Sequence, residues 1–308
     1  MEVAGIHSLG GPVETIDLPG PSPVAEDEVL IEVRAAGVAN WDEFVRAGQW
    51  DVGRRPPMAL GVAAAGVIAA VGAAVENWKE GDEVLTHPLP LRDQGTWAPW
   101  LIAPAALLAR KPDAVSWDVA AAFPVPALTA AQVIDEALGT HADDVVLIHG
   151  GGGVTGGVLV SLAVVRGAEV IATASPANHE RLSRLGASHL LDYHDPGWPE
   201  EARALGGTSG VSAAANAAPG RSADAIRTVR DGGRLATITS DPPNEERGIA
   251  ISSVIVRADG PTLGAMAELL AAGKLDISVT ATYPLEDAAS ALARAVGGGG
   301  GGAVALRP

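Results

Sequence analysis

Val145-Val146-Leu147-Ile148-His149-Gly150-Gly151-Gly152-Gly153-Val154-Thr155-Gly156-Gly157 runs directly into Val158-Leu159-Val160-Ser161-Leu162-Ala163. A short β-branched apolar run feeds a glycine cluster, and the cluster feeds an apolar run of helical length. Gly151, Gly153 and Gly156 stand at the G-x-G-x-x-G spacing, which between a strand and a helix marks a dinucleotide fingerprint. The first glycine permits the tight turn, the second lets backbone approach a pyrophosphate, and the third lets helix pack closely on strand. The helix that follows presents free N–H groups and the positive end of its dipole to phosphates. Gly151, Gly152, Gly153, Val154, Thr155 and Gly156 are therefore the candidate phosphate cradle. The plainer reading is a glycine-rich turn between core elements, and 38 glycines in the chain make a chance match easy.

Upstream of this stretch the chain reads as short β segments with turn punctuation. Val29–Ala35 alternates Glu32 and Arg34 with apolar residues, Gly66–Gly72 is an apolar strand bounded by glycines, and Gly81-Asp82 turns into Glu83-Val84-Leu85. Short strands at this spacing predict a small β-barrel-like domain. From Pro112 the style changes to alanine-rich helix, with Gly139 as a C-cap. Downstream, strands are expected at Val145–His149, Glu169–Thr173, Ser188–Leu191, Val211–Asn216 and Arg234–Thr239, with helices at Gly157–Arg166, Asn178–Leu185 and Ser222–Val229. That rhythm predicts a doubly wound parallel sheet. Ile249–Arg257 is an extended apolar run, and Gly297–Gly302 is expected to be a mobile surface turn.

Composition bounds the function. A net charge of −16 makes nucleic acid and anionic membrane surfaces poor general partners. No apolar run is long enough to span a bilayer. The start of the chain shows no basic and apolar leader, so a cytoplasmic location is expected. Cysteine is absent, which removes disulfides, thiolate nucleophiles and cysteine-ligated zinc.

The order of parts resembles the medium-chain dehydrogenase/reductase superfamily, in particular its zinc-independent quinone oxidoreductase branch. The resemblance is carried by Gly10-Gly11-Pro12, Val29–Val33, Ala35-Ala36-Gly37-Val38, Ala65–Gly72, Gly81-Asp82-Glu83-Val84, Leu128-Thr129-Ala130 and the glycine loop. Leu185-Gly186-Ala187, Asp192-Tyr193 and Asp231–Leu235 complete it. It implies an α/β protein with a GroES-like β-barrel domain at 1–117 and 257–308, and an inserted Rossmann doubly wound parallel-sheet domain at 118–256. It also places the active cleft between the two.

An NAD-type site carries an acid about 20 residues past the glycine loop. Here Ile171-Ala172-Thr173-Ala174-Ser175-Pro176-Ala177-Asn178 holds none. Thr173, Ser175 and Asn178 are candidate cofactor contacts, with His179 and Arg181 as nearby cations for a 2′-phosphate. As plain structure, Ser175 and Asn178 are a helix cap and first-turn polarity. The branch resembled favours NADPH and places a tyrosine where Tyr193 stands. Asn216 and Ser240 lie at the carboxyl edge of the expected sheet, where ligands bind in open α/β folds. In the glycine loop, Val154 replaces a glycine of the branch.

Zinc members of the superfamily ligate metal from stretches matching Gly37–Asp42 and Leu60–Ala64, which hold no ligand pair here. No metal is expected; His87 either faces the cleft or, as is usual for a lone loop histidine, faces solvent. Without a Lewis acid, hydride delivery to a quinone or an activated alkene is the chemistry that remains. The resemblance places an Asn-x-x-Asp segment beside the nicotinamide. Its Asn falls on Ala39, with Asn40 one position along, and its Asp falls on Asp42. Trp50 stands where relatives have a tyrosine, and an indole donates a hydrogen bond but is no useful acid. Thr129 matches a threonine near the nicotinamide. Trp41, Trp50 and Trp97 either line a flat apolar slot or pack as core. A homodimer through residues 250–256 is expected, because an exposed apolar strand edge invites its twin.

Three functions stay open. The first is an NADPH-dependent reductase of quinones or enones. The second is an enoyl or tailoring reductase acting on a CoA- or carrier-bound intermediate, for which Arg46, Arg54 and Arg55 are the available basic cluster. The third is a non-catalytic NADPH-binding sensor or scaffold.

Overall fold

The computed structural model describes residues 1–308. Two compact units emerge: Met1–Val125 with Arg257–Ala271 and Ile277–Pro308, and Pro126–Val256 with Ala272–Asp276.

The first unit is built on the strand Glu28–Val38. Val29, Ile31, Val33 and Ala35 are buried while Leu30, Glu32 and Arg34 face outward or are half-buried, the period-2 pattern of a strand covered on one face. Glu32 and Arg34 pair with each other at 3.0 Å. Its neighbours are Ala64–Val71 on one side and, on the other, Ala303–Arg307 at one end and Trp100–Pro104 at the other. The far end of the chain thus completes this sheet, with Val304 opposite Val38 and Leu306 opposite Ala36. A second, three-stranded sheet joins Glu14–Asp17, Glu2–Ile6 and Met58–Ala59.

The first boundary lies at Val125, not at 117. The helix Trp117–Ala122 packs on Glu28–Val38, Ala64–Val71 and Ala303–Arg307. Gly37 permits this, since a Cβ there would sit 2.7 Å from the Ala121 carbonyl oxygen. Asp118 fixes the helix further, accepting from Arg307 at 3.0 and 2.8 Å and from Thr282 at 3.0 Å. The 257–308 segment also divides. Ala272–Asp276 belongs to the second unit, where Gly273–Asp276 lines a surface pocket with Ser161, Val164 and Leu185. The glycine run is an ordered cap rather than a free turn, with Gly297, Gly298 and Gly299 donating to the last carbonyls of the Ala288–Val296 helix.

The second unit is a six-stranded, all-parallel sheet. Its strands are β1 (Val145–His149), β2 (Glu169–Ala174), β3 (His189–Asp192), β4 (Val211–Asn216), β5 (Val229–Thr237) and β6 (Ala250–Ser253). They lie in the order β3-β2-β1-β4-β5-β6, the doubly wound arrangement with β1 at the switch point. Four helices connect them: α1 (Val154–Val165), α2 (His179–Arg184), α3 (Trp198–Leu205) and α4 (Ser222–Thr228). Helix α3 is absent from the sequence reading. Its signals are Pro199 in the first turn and Glu200 and Glu201 beside it, all of which favour a helix start.

Candidate functional site

Strand register gathers the site. Thr173 lies opposite His149, His149 opposite Asn216, and Asn216 opposite Thr237. Four polar residues therefore form one row across the carboxyl ends of β2, β1, β4 and β5, and all four are buried. The row is internally bonded. Asn216 Nδ2 donates to Thr237 Oγ1 at 3.1 Å and to Thr239 Oγ1 at 2.9 Å, while its Oδ1 accepts from the Ala218 N–H at 3.2 Å. The Thr239 hydroxyl donates in turn to Asp241. Ser240, between them, is exposed in a left-handed conformation at φ 57°. Thr173 Oγ1 lies 2.6 Å from His149 Nδ1 and accepts the Gly150 N–H at 3.0 Å. The His149 ring stacks on Trp198 with centroids 4.5 Å apart. Its Nε2 is buried without a partner, and burial pushes the imidazole down to about 4, so the ring is neutral.

The glycine loop divides its labour differently from the simple fingerprint. The left-handed residue is Gly150, at φ 86°, and it makes the tight turn. A Cβ on Gly156 would lie 2.1 Å from the Gly150 carbonyl oxygen, so Gly156 admits helix to strand. A Cβ on Gly153 would meet nothing nearer than 3.7 Å, so the outer side of the loop is open for close approach. Val154 opens α1 behind Gly153, its N-cap. Ordinary helical backbone needs no glycine, so this departure leaves the loop's conformation intact. The first-turn N–H groups of α1, including those of Val154 and Thr155, have no acceptor within the helix. These residues fit a dinucleotide pyrophosphate.

Ser175 and Asn178 come to the same loop. Asn178 Nδ2 donates to Ser175 Oγ at 3.1 Å, and a Cβ on Gly152 would lie 3.2 Å from that nitrogen. His179 Nε2 bonds the Ala174 carbonyl at 3.1 Å. Tyr193 follows Asp192, which pairs with Ala174 across β2 and β3, and its ring lies 4.1 Å from that of His194. Arg181 is turned the other way, under the loop, with Nη2 2.7 Å from the Gly152 carbonyl.

In the first unit, Asn40 is exposed at the start of the helix Asn40–Arg46. Asp42 is wholly buried. Its Oδ2 accepts the Ala39 N–H at 2.8 Å, capping the helix from its third position, and its Oδ1 has no partner. Burial pushes this carboxyl up to about 7, against the backbone hydrogen bond that lowers it. Trp50 is half-buried, its ring 6.3 Å from that of His87. His87 is buried rather than solvent-facing. Its Nδ1–H donates to the Val62 carbonyl at 2.6 Å, its Nε2 is unpartnered, and burial pushes it down to about 4. Trp97 is core, its indole N–H held by the Gly37 carbonyl at 3.0 Å. Thr129 belongs to the second unit, buried in the helix Pro124–Ala131. Arg46 is spent on Glu43 at 2.7 Å and on the carbonyls of Gly10 and Gly11, and Arg55 pairs with Asp51 at 3.2 Å.

The alcohol dehydrogenase GroES-like domain family matches residues 25–113, and the zinc-binding dehydrogenase family matches residues 185–306. The chain is similar throughout to the crystal structure of an NAD-dependent alcohol dehydrogenase, with 30% identity, 100% of each chain covered and a TM-score of 0.90. The chain belongs to the medium-chain dehydrogenase/reductase superfamily. Relatives of this superfamily member include a mycobacterial quinone oxidoreductase at 27% identity, 100% of each chain and TM-score 0.84, in keeping with the zinc-independent branch. A mycobacterial protein solved complexed with NADPH is 28% identical, with 100% of each chain and TM-score 0.85. Among curated proteins, the erythronolide synthase EryA2 of Saccharopolyspora erythraea is 37% identical over 205 residues, which is 66% of this chain and 6% of that protein. The chain spans less than half the length of the curated relatives it matches first.

The superfamily raises the question of zinc. No group of three or more His, Asp, Glu or Cys side chains converges in a way that could hold a metal ion. The stretch that would supply ligands reads Ala39-Asn40-Trp41-Asp42, and Asp42 is occupied with its helix. The donor set does not fit zinc. No helix is long and apolar enough to cross a membrane.

Proposed function

We propose that the chain is an NADPH-dependent, metal-free oxidoreductase that passes hydride to a quinone or to an α,β-unsaturated carbonyl compound. The observation that carries the reading is the carboxyl end of β2. Ser175 and Asn178 stand there as neutral donors beside the glycine loop, and Ser175–His179, the residues directly after Ala174, hold no carboxylate. An acid at that point grips ribose hydroxyls and repels a 2′-phosphate. The one carboxylate alongside, Asp192, is held by His194 at 2.6 Å. Gly151–Gly156 would take the pyrophosphate, Ser175, Asn178 and Tyr193 the adenosine end, and the Thr173–Asn216 row with Ser240 would back the sheet edge. Bound NADPH supplies the hydride. In the first unit Asp42 Oδ1 holds a proton up to neutrality, and Trp50 offers an apolar face. Asn40 and Thr129 are the remaining candidates to orient an acceptor. The similarity to a quinone oxidoreductase and to a protein complexed with NADPH supports the reading. The proposal includes a cytoplasmic homodimer paired through residues 250–256. There β6 is the sheet's edge strand and Ile255 is 66% exposed.

NADPH and NADH oxidation should be followed with 1,4-benzoquinone and with a simple enone. Turnover with NADPH favoured over NADH by at least about tenfold is the expected result, the size of discrimination that one well-made polar contact supplies. Cofactor binding without acceleration by either acceptor would leave the sensor or scaffold reading standing instead.

A second reading has its own support. The curated relatives include a protein of a polyketide synthase system, which favours enoyl reduction on a carrier- or CoA-bound intermediate. Trp50 lacks an acidic proton, and Arg46 is already bonded within its own unit. A crotonyl thioester reduced faster than benzoquinone at equal concentration would make this the better assignment.

A further inference from the structure

Arg181 lies half-buried beneath the glycine loop. Its Nη2 donates to the Gly152 carbonyl at 2.7 Å and to the Gly151 carbonyl at 3.4 Å. Its Nη1 fits against Gly157, where an added Cβ would come within 2.6 Å of it. Its Nε is buried and has no acceptor. The charged side chains around it are Asp276, which favours the cation, and Arg184, which opposes it. This placement is unlike that of a 2′-phosphate ligand, which presents its guanidinium to solvent.

A trans peptide points its C=O and N–H in opposite directions. By holding the Gly151 carbonyl, Arg181 turns the Gly152 N–H to the opposite side. Four glycines in succession have no conformation of their own. Gly150 is pinned by the Thr173 hydroxyl, and Arg181 pins the next two. We propose that Arg181 is a positioning residue for the pyrophosphate shared by NADPH and NADH, bracing the loop from below, and takes no part in reading the 2′-phosphate. The proposal rests on the dinucleotide-binding reading, but not on the preference for NADPH.

Dissociation constants for NADPH and NADH should be measured by titration calorimetry on wild type, Arg181→Met, Arg181→Lys and Gly157→Ala, with thermal melts alongside. Arg181→Met should weaken both cofactors roughly tenfold, the loss expected for a charge-assisted hydrogen bond, and leave their ratio unchanged. Arg181→Lys, which keeps one donor, should recover part of that. Gly157→Ala displaces the guanidinium while improving helix propensity. It should weaken both cofactors with no loss of melting temperature, which a merely structural role does not predict. If Arg181→Met does not fold, the other two variants decide. Loss confined to NADPH would overturn the proposal in favour of a 2′-phosphate contact. Undiminished affinity for both cofactors in the folded variants would overturn it outright. Wild type that binds neither cofactor would remove the dinucleotide reading itself, and this inference with it.

Discussion

Replacing Asp42 with Asn tests whether this carboxyl is a protonated helix cap. Asp42 is fully buried, with one oxygen on the Ala39 N–H and the other unpartnered, and its pKa is pushed up to about 7. An unfolded aspartate ionises near 3.9. Between those values the folded chain keeps a proton that the unfolded chain has lost. Stability therefore falls with rising pH by about 1.4 kcal/mol per unit, or about 4 kcal/mol across the window. The contribution is complete below pH about 4 and gone above pH about 7. His87 and His149 act in the opposite sense. Both are pushed down to about 4 by burial, so the unfolded chain protonates first as pH falls below about 6.5. Their contribution is present above that value and is lost as pH falls toward about 4. A wild-type profile sums these effects, and subtraction isolates Asp42. Asp42→Asn keeps an acceptor for Ala39 and never ionises. Unfolding free energies from urea titration should show wild type minus variant falling by about 3 kcal/mol between about pH 5 and about pH 8. A difference independent of pH, or one that grows with pH, would refute a protonated Asp42.

Four further outcomes follow from contacts elsewhere. Gly156→Ala drives a Cβ to 2.1 Å from the Gly150 carbonyl and should lower stability by about 2 kcal/mol or more. Gly153→Ala should leave the melting temperature unchanged and still weaken NADPH binding, because its Cβ meets open space on the ligand side; calorimetry and thermal melts of the pair check this. Arg234→Met removes the guanidinium that lies 2.6 Å from Asp144, which is 3% exposed, and leaves that carboxylate the His141 N–H at 3.1 Å and the His141 ring at 3.6 Å, which should cost about 2 kcal/mol by urea titration. Ile255→Asp, at an exposed position two residues past β6, should convert a dimer into a monomer by light scattering. Dilute wild type that is already monomeric would remove the edge-pairing proposal.

The sequence revealed where the site lies better than it revealed how the site is held. β1 and β4 were legible to the residue because a parallel strand buried on both faces is a continuous apolar run, such as Val145–Ile148. The spacing of the three fingerprint glycines was equally plain. What the fingerprint did not disclose is that Gly150, outside the spacing, supplies the left-handed turn, or that Thr173 and Arg181 hold the loop on either side. Those contacts join residues more than twenty positions apart, and no local pattern encodes them. His149 illustrates the limit. It sits at the strand end, and its character comes from Trp198, on a helix the periodicity did not reveal, and from Thr173 on the neighbouring strand. Each partner became visible only when strand register fixed which side chains share a row. Arg181 makes the same point with opposite consequences. Its sequence position beside Asn178 suggests a phosphate contact, yet its direction is set by the loop carbonyls and by α1, where Gly157 leaves room for a guanidinium and not for a methyl group. A cation under a glycine loop orders that loop for any dinucleotide. Selectivity between cofactors must then come from the neutral donors Ser175 and Asn178, not from charge.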